Sequence, residues 1–155
     1  MSDAGYRPAA GVMLLNRTGK VWVGQRLDNS LEAWQMPQGG LDKGEKPLEG
    51  ALRELEEETG IRRHLVELVA QAKEKLSYDL PGDLVGKVWK KNWRGQIQTW
   101  FLMRFLGEDK DVNLQTPEPE FRAWKWADAH ELPALIVPFK QGLYRDVLKA
   151  FAAWL

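Results

Sequence analysis

Residues 47–60 place the strongest constraint on how this chain can fold. Their apolar members recur at the i, i+3, i+4 and i+7 spacing of one helix face, and they are Leu48, Ala51, Leu52 and Leu55. Proline is favoured in the first turn of a helix, and glycine is favoured just after the last one. The pattern therefore predicts an amphipathic helix that starts near Pro47, stops before Gly60 and packs its apolar stripe on a core.

The same helix carries carboxylates where a helix built for stability alone would not have them. At about 100° per residue, Glu54, Glu57 and Glu58 fall within an arc of about 100° beside the apolar stripe, whereas Glu56 points away. Like charges at i and i+4 repel by roughly 0.2–0.5 kcal/mol, and the C-terminal half of a helix disfavours anions. Bound Mg²⁺ would remove both conflicts, because it prefers carboxylate oxygens as ligands and its positive charge offsets theirs. The alternative is an ordinary solvated surface.

The composition excludes several classes of function. The chain has 155 residues and no cysteine, so it contains no disulfide framework, cysteine nucleophile or cysteine-based zinc site. Its two histidines, His64 and His130, are far apart in sequence, which argues against a histidine-rich metal site. No apolar run approaches the roughly 18 residues of a membrane span, and the N-terminus lacks a signal-peptide pattern. We therefore expect a cytoplasmic protein.

Charge is balanced overall and uneven locally. There are 22 basic and 22 acidic residues, so the chain has no global positive field for nucleic acid. Carboxylates are concentrated in residues 42–58, and four cations with no acid lie in residues 87–94: Lys87, Lys90, Lys91 and Arg94. This separation would suit a polyanionic substrate held by metal on one side and by cations on the other. The alternative is that the acidic and the basic segment are both ordinary solvent-exposed faces.

The other apolar runs predict a sheet. Predicted strands are residues 9–16, 21–26, 34–37, 65–72, 74–78, 97–105 and 121–126. A turn at residues 17–20 would join the first two strands as a hairpin, and residues 38–40 are predicted as a loop. A second helix is expected in residues 139–155, where Leu143, Val147, Phe151 and Trp154 recur at helical spacing. The order predicts one mixed α/β domain over residues 1–155, with helices covering a β-sheet.

Gly39 and Glu45 precede the first helix at a spacing that completes a known motif. Five residues separate Gly39 from Glu45, seven separate Glu45 from Arg53, and the run Arg53-Glu54-Leu55-Glu56-Glu57-Glu58-Thr59-Gly60-Ile61 follows. Residues 39–61 thereby match the Nudix box, G-x5-E-x7-R-E-U-x-E-E-x-G-U, at every specified position. The chain resembles a Nudix hydrolase. The resemblance implies the α+β Nudix fold, a mixed sheet sandwiched between helices with the box as a loop-helix-loop.

The likeness extends beyond the box over nearly the whole chain. It resembles one branch, which contains bacterial RNA pyrophosphohydrolases and diadenosine polyphosphate hydrolases. The segments that carry this resemblance are Tyr6-Arg7-Pro8, Trp34-Gln35-Met36-Pro37-Gln38-Gly39-Gly40, Tyr78-Asp79-Leu80-Pro81, Gly95-Gln96 with Gln98 and Trp100-Phe101, Pro119-Glu120-Phe121 and Val137-Pro138-Phe139-Lys140.

The resemblance implies a metal site. Glu54, Glu57 and Glu58 would bind Mg²⁺, with help from the backbone carbonyl of Gly39, and Glu120 matches a further metal-binding carboxylate outside the box. Mn²⁺ is an alternative ion, and more than one ion is expected when substrate is bound.

The resemblance also implies substrate-binding residues at the 5′ phosphates or the nucleobase: Arg7, Arg26, Phe139 and Lys140. Lys87, from the basic segment, joins this set because of its charge. Two departures from relatives bear on substrate preference. Thr99 stands where many have lysine, and Pro138 stands where some have serine.

The implied reaction is phosphoanhydride hydrolysis, which would convert 5′-triphosphate or diphosphate RNA ends to 5′-monophosphate ends, a step of mRNA decay. Glu54 is expected to orient or deprotonate the attacking water, with Glu57 and Glu58 as alternatives. Arg53 would orient Glu56 and Glu57, its neighbours on the helical wheel.

The expected partner is an RNA 5′ end or a dinucleoside polyphosphate, and no protein partner is indicated. Two alternatives stay open. Diadenosine tetraphosphate would give ATP and AMP. A Nudix module that binds nucleotides without hydrolysis is disfavoured because every specified box residue is present.

Overall fold

A mixed β-sheet lies at the centre of the structure, a computed structural model that describes residues 5–27, 32–89 and 91–155. Its strands are β1 Tyr6–Leu15, β2 Val21–Arg26, β3 Trp34–Gln35, β4 Gln38–Gly40, β5 Val66–Gln71, β6 Leu76–Asp79, β7 Gly95–Phe105 and β8 Phe121–Ala127. The helices are α1 Pro47–Thr59, α2 Leu132–Leu135 and α3 Gln141–Ala150. The predicted fold class is confirmed.

The pairing of β1 with β7 organises the sheet. These strands run parallel, in register from Tyr6 opposite Gly95 to Leu15 opposite Arg104. The sheet continues in the order β3-β2-β1-β7-β5, while β4 pairs with β1, β6 with β7 and β8 with β2. Both β4 and β6 pair with the first halves of their partners. Consequently β4, β6 and the starts of β1 and β7 meet at one end of the sheet.

Each face of the sheet packs against helix, because successive strand residues point to opposite sides. On one face, Leu55 of α1 shares a core with buried residues of β1, β2 and β7 such as Leu14, Trp22 and Phe101. On the other face, Tyr144 and Val147 of α3 lie in a core with Met13, Trp100 and Leu102. The sheet is therefore sandwiched between helices, as predicted.

Helix α1 has the predicted bounds. Pro47 occupies its first turn, and Gly60 follows it with a φ of 75°, a left-handed conformation that glycine adopts without strain. The Gly60 N–H donates to the carbonyl of Glu56 over 2.9 Å. Ala51 and Leu55 are fully buried, but Leu52 is only partly buried. Leu52 therefore contributes less to the core than the predicted apolar stripe indicates.

The main difference between the predicted and the observed strands concerns residues 38–40. They were expected to form a loop, and they form strand β4, antiparallel to β1 with Gly11 opposite Gln38 and Ala9 opposite Gly40. Glycine-rich sequence favours turns locally, whereas this strand arises from backbone pairing with a distant segment. Strand β1 also begins earlier than predicted, at Tyr6. The other predicted strands lie within three residues of the observed bounds.

The C-terminal segment is divided differently from the single helix that was expected. A 3₁₀ turn at Pro138–Lys140 precedes α3, a second one at Ala152–Trp154 follows it, and the short helix α2 was not predicted. The side chains of Leu143, Val147 and Phe151 are buried as expected, but Trp154 remains 49% exposed. In the described parts of the chain, no helix has the length and apolarity needed to cross a membrane.

Candidate active site

A cleft of about 750 Å³ lies where β4, β6 and the starts of β1 and β7 meet. Helix α1 contributes Glu54 to its lining, and the loop before β8 contributes Glu120. Cationic side chains line the cleft as well, from β1, β2 and the Pro138–Lys140 turn: Arg7, Arg26 and Lys140. We call Glu54, Glu58 and Glu120 the acidic side of the site and the three cations its basic side.

Gly39 and Glu54 fit together on the acidic side. A Cβ atom built on Gly39 would lie 2.2 Å from Cδ of Glu54, so glycine is needed at this position for the carboxylate to approach the backbone of β4. The box therefore brings Gly39 and Glu54 into contact.

Glu58 is only 2% exposed and does not line the cleft, although its neighbour Gln38 does. Its carboxylate accepts a hydrogen bond from the backbone N–H of Gln38, while Oε2 has no hydrogen-bond partner among the described residues. Burial raises the pKa of Glu58 well above its usual value, and the nearby Glu54 and Glu120 raise it further. A buried carboxylate oxygen without a partner is costly, so this position is prepared for a cation or a proton.

Arg53 ties the loop before α1 to the helix. Its guanidinium donates to Glu45 twice at 2.8 Å, to Glu54 at 2.9 Å, to Glu57 at 3.0 Å and to the backbone carbonyl of Gly40 at 3.0 Å. These bonds to Arg53 lower the pKa of Glu45 to about 2. Within the described residues, Arg53 thus orients Glu57 as predicted, but its second partner on the helix is Glu54 rather than Glu56.

Glu54 is held in a mixed environment. Burial raises the pKa of its carboxyl to about 7, the contact with Arg53 opposes that rise, and the charges of Glu57 and Glu120 add to it. The carboxyl group of Glu54 therefore has a pKa near neutral pH, and it lines the cleft.

The acidic side has the chemistry of a site for hard divalent cations. Its donors are carboxylate oxygens, which Mg²⁺ prefers, and one of them is Oε2 of Glu58, which no described residue contacts by a hydrogen bond. The contact between Glu54 and Gly39 brings a further carboxylate next to a backbone strand. The residues present therefore fit Mg²⁺ or Mn²⁺.

The basic side is held by aromatic and acidic neighbours. The guanidinium of Arg7 lies 5.4 Å from the ring centre of Trp89, and Nζ of Lys140 lies 5.0 Å from that of Tyr78. Arg26 Nη1 is 3.4 Å from Glu120 Oε2, which joins the two sides of the cleft. Burial and the charge of Arg26 lower the pKa of Lys140 to about 8, although Glu58 opposes this shift.

An aromatic pair lies beside these cations. The rings of Phe139 and Tyr78 have centroids 5.8 Å apart, and both residues line the cleft. Phe139 is partly exposed, so its ring is available to a planar ligand.

Not every predicted site residue lies in the cleft. The Glu57 side chain is 58% exposed, is directed to Arg53 and is absent from the cleft lining. Lys87 is exposed on the turn before β7 and does not line the cleft either, so its assignment to the substrate site is not supported by position. Lys90 lies outside the described residues.

Among the described residues, the side chains that have the spacing of metal ligands are three others, outside the box. One potential ligand atom each of Asp128, His130 and Glu131 lies within 4.8 Å of the others. The box carboxylates are not among the described groups with this spacing, and two of them, Glu54 and Glu57, form ion pairs with Arg53. His130 and Glu131 are exposed to solvent, as polar side chains on a protein surface commonly are.

Sequence reasoning missed several residues of the cleft. Tyr78, Trp89 and Gln96 all line it, and none was assigned a role. One signal for Gln96 was present, because Gln96 and Gln98 alternate on a strand whose other members are mostly apolar.

A cleft lined by both carboxylates and cations is typical of proteins that bind a nucleotide polyphosphate together with divalent cations. Residues 5–147 match the model of the NUDIX domain, and the chain belongs to the Nudix family. The predicted family is confirmed.

Relatives of known name are similar over most of their length. The RNA pyrophosphohydrolase of Sphingopyxis alaskensis is 58% identical over 146 residues, which cover 94% of this chain and 92% of that protein. The RNA pyrophosphohydrolase of Roseobacter denitrificans is 57% identical over 150 residues, or 97% of this chain and 94% of that protein. The one from Zymomonas mobilis is 51% identical over 153 residues, 99% of each chain.

Solved structures share the fold at lower identity. A binary complex of the C. elegans Ap4A hydrolase has a TM-score of 0.68 at 23% identity, with 96% of this chain and 99% of that chain covered. The E. coli dihydroneopterin triphosphate pyrophosphohydrolase has a TM-score of 0.72 at 22% identity, with 94% and 99% covered.

Proposed function

We propose that this protein hydrolyses phosphoanhydride bonds of nucleoside polyphosphates and that its substrate is the 5′-triphosphate or diphosphate end of RNA. The observation that carries the proposal is the cleft itself, which is lined by carboxylates and cations together: Glu54, Glu120, Arg7, Arg26 and Lys140. Buried Glu58 is hydrogen-bonded to Gln38 of the cleft lining, and its Oε2 has no partner among the described residues. The relatives named RNA pyrophosphohydrolase, at 51–58% identity, support RNA as the substrate.

The acidic side would hold Mg²⁺, or Mn²⁺ in its place, through Glu54, Glu57, Glu58, Glu120 and the carbonyl of Gly39. More than one ion is expected with substrate bound. When bound, such ions neutralise phosphate charge and lower the pKa of water. Glu57 would take part by leaving its 3.0 Å hydrogen bond to Arg53, which its exposure to solvent permits.

Glu54 is the residue of this chain that would orient or deprotonate the attacking water. Without metal, burial raises the pKa of Glu54 to about 7, and a divalent cation bound beside it would lower this pKa and keep the carboxylate ionised, the form that accepts a proton from water. Arg53 holds the Glu54 carboxylate at 2.9 Å and thereby limits its rotation. Glu57 and Glu58 remain alternatives for this role.

The basic side would bind the phosphates. Arginine and lysine neutralise phosphate charge and donate several hydrogen bonds to its oxygens. Arg7 and Lys140 lie against aromatic rings, so their charged groups are already oriented before substrate arrives. The Phe139 ring, beside Lys140, would stack on a nucleobase.

The proposal includes a single domain over residues 1–155, the cytoplasm as compartment and mRNA decay as process. A triphosphate is the end that transcription leaves on new RNA, and its conversion to a monophosphate would change which nucleases can act.

A turnover comparison tests this proposal. Purified protein in Mg²⁺ is given a 5′-triphosphate RNA and, separately, diadenosine tetraphosphate at equal concentration, and kcat/KM is measured for each. We expect RNA to be preferred and to yield a 5′-monophosphate end with pyrophosphate or two successive phosphates. Preference for the dinucleotide would make it the substrate, and no turnover of either would indicate a binding module.

A further inference from the structure

One face of β7 changes from apolar to polar along the strand. Because side chains alternate, Leu102, Trp100, Gln98 and Gln96 share this face and approach the cleft in that order. Trp100 and Gln98 are 0% exposed and Gln96 is 3% exposed, so the two amides are buried polar groups that need partners.

Those partners form a connected series of hydrogen bonds. The indole Nε1–H of Trp100 donates to Oε1 of Gln98 over 2.7 Å. Nε2 of Gln98 then donates to Oε1 of Gln96 over 2.7 Å and to Oε1 of Gln38 over 3.0 Å. Gln96 and Gln38 both line the cleft.

The indole fixes the direction of every bond in this series. An indole N–H can only donate, so the atom of Gln98 that faces it must be the carbonyl oxygen. The NH₂ group of Gln98 consequently faces the other two glutamines. Each of these must offer its own carbonyl oxygen in return, and each NH₂ group is left for the cleft.

Trp100 can serve as an anchor because its ring has little freedom. Gly11 lies opposite it on β1, and a Cβ there would be only 2.6 Å from the ring. On the other side the ring meets Tyr144 edge-on, with centroids 6.3 Å apart and an interplanar angle of 82°. The indole is therefore enclosed by backbone and by a buried aromatic ring.

We propose that Trp100 and Gln98 are positioning residues that orient the side-chain amides of Gln38 and Gln96 as hydrogen-bond donors to the substrate. The inference rests on the proposed function and names a feature of the ligand, an acceptor atom, which is either a phosphate oxygen or an acceptor on a nucleobase. Without the anchor, each glutamine could rotate and turn its carbonyl oxygen to the cleft, where it would repel such an atom.

The test compares two buried tryptophans. Trp100→Phe removes the anchoring N–H. Trp22→Phe is the matched control, because Trp22 is equally buried, lies in the core on the opposite face and has an Nε1 with no hydrogen-bond partner in the described structure. For Trp100→Phe we expect KM to rise about three- to tenfold, the effect of roughly one lost hydrogen bond, with kcat within about twofold. For Trp22→Phe we expect KM to stay unchanged.

Gln98→Met provides a second variant, should Trp100→Phe fold poorly. It keeps the length of the side chain, removes both polar atoms and leaves the glutamines of the cleft free to rotate. We expect the same rise in KM, together with a shift of the Trp100 indole resonance in the NMR spectrum that Trp22→Phe does not produce. An unchanged KM in Gln98→Met would overturn the proposal.

Three ligands identify the acceptor: a 5′-triphosphate RNA that begins with two guanosines, one that begins with two uridines, and inorganic tripolyphosphate as an inhibitor. Equal weakening of all three by Trp100→Phe assigns the donors to phosphate oxygens, and weakening confined to the guanosine RNA assigns them to a base. Equal changes in Trp100→Phe and Trp22→Phe would overturn the proposal.

Failure of the proposed function can be distinguished from failure of this inference about the amides. If the wild-type protein hydrolysed no RNA, calorimetric binding of tripolyphosphate would still report on the amides. A Kd raised in Trp100→Phe and not in Trp22→Phe would then support their orientation even without turnover. Equal Kd values in all three proteins, both for tripolyphosphate and for the RNA that begins with two guanosines, would contradict it.

Discussion

The acidic and basic sides of the cleft differ in whether their charged groups already have partners. On the acidic side, Glu58 is buried with one carboxylate oxygen that has no partner in the described part of the chain, and burial raises the pKa values of both Glu54 and Glu58. On the basic side, Arg7 and Lys140 lie against aromatic rings. The acidic side is thus incomplete without a cation, whereas the basic side is already arranged to receive an anion.

This difference separates two kinds of contribution to activity. Substitutions on the acidic side should remove the chemical step, because the groups proposed to hold divalent cations cannot be replaced by solvent. Substitutions on the basic side should weaken binding by graded amounts, because each cation adds one of several favourable interactions with the same polyanion.

The largest effect is expected from Glu58→Gln or Glu57→Gln, each of which removes one charged ligand from the proposed metal site. We expect kcat to fall about 100-fold or more, on the scale of lost metal and electrostatic stabilisation of a transition state. Glu56→Gln is the matched control, since Glu56 is exposed on the same helix and is not placed in the site. Wild-type kcat in a folded Glu58→Gln protein would refute the assignment.

Gly39→Ala should come next. The added Cβ would collide with the Glu54 carboxylate, so the carboxylate must move, and displacement of a reacting group by about 1 Å can cost roughly 100-fold in rate. We expect kcat to fall by about 10- to 100-fold. The control is Gly142→Ala in α3, where a Cβ meets nothing within 4 Å. Equal kcat values for the two variants would show that the Gly39–Glu54 contact does not matter for turnover.

A pH profile probes the basic side through Lys140. Its pKa is lowered to about 8, so the amine is charged below that pH and loses its charge as the pH rises through it. Phosphate binding should therefore weaken between about pH 7 and pH 9. Lys140→Arg keeps the charge throughout and should flatten the dependence. We would measure the Kd of tripolyphosphate in each protein, and a parallel decline in both would exclude Lys140 as the titrating group.

The smallest effect concerns RNA beyond its first nucleotides. Lys91 is exposed near Trp93, with Nζ 5.8 Å from the ring centre, so it is placed on the surface rather than in the cleft. If it contacts a phosphate of the RNA chain, Lys91→Ala should reduce the slope of log affinity against log salt by about 0.7. Lys149→Ala in α3 is the control, and affinity for diadenosine tetraphosphate should not change. An unaltered slope for RNA would remove Lys91 from the binding surface.

Local sequence signals predicted the parts of the site that depend on local structure. The bounds of α1 follow from Pro47 and Gly60, and the burial of Leu55 and the exposure of Glu56 follow from helical periodicity. The resemblance to the Nudix box added Gly39, whose contact with Glu54 could not be read from helix geometry.

Features that depend on distant pairing were predicted poorly. Residues 38–40 form a strand only because β1 lies beside them, so their glycines gave a misleading turn signal. Tyr78 and Gln96 reach the cleft because β6 pairs with β7, and no local pattern indicates that register. Lys87 was assigned from charge alone, which does not determine the direction of a side chain.

Thermal unfolding of the wild-type protein and Glu58→Gln, with and without Mg²⁺, tests the central claim most directly. A carboxyl whose folded pKa is raised loses stability as the pH rises above its unfolded pKa, so at neutral pH or above Glu58→Gln should unfold at a higher temperature than the wild type without metal. Mg²⁺ should stabilise the wild type more than the variant, because ligands that bind only the folded state raise its stability. A lower unfolding temperature for metal-free Glu58→Gln, together with equal stabilisation of both proteins by Mg²⁺, would contradict the account.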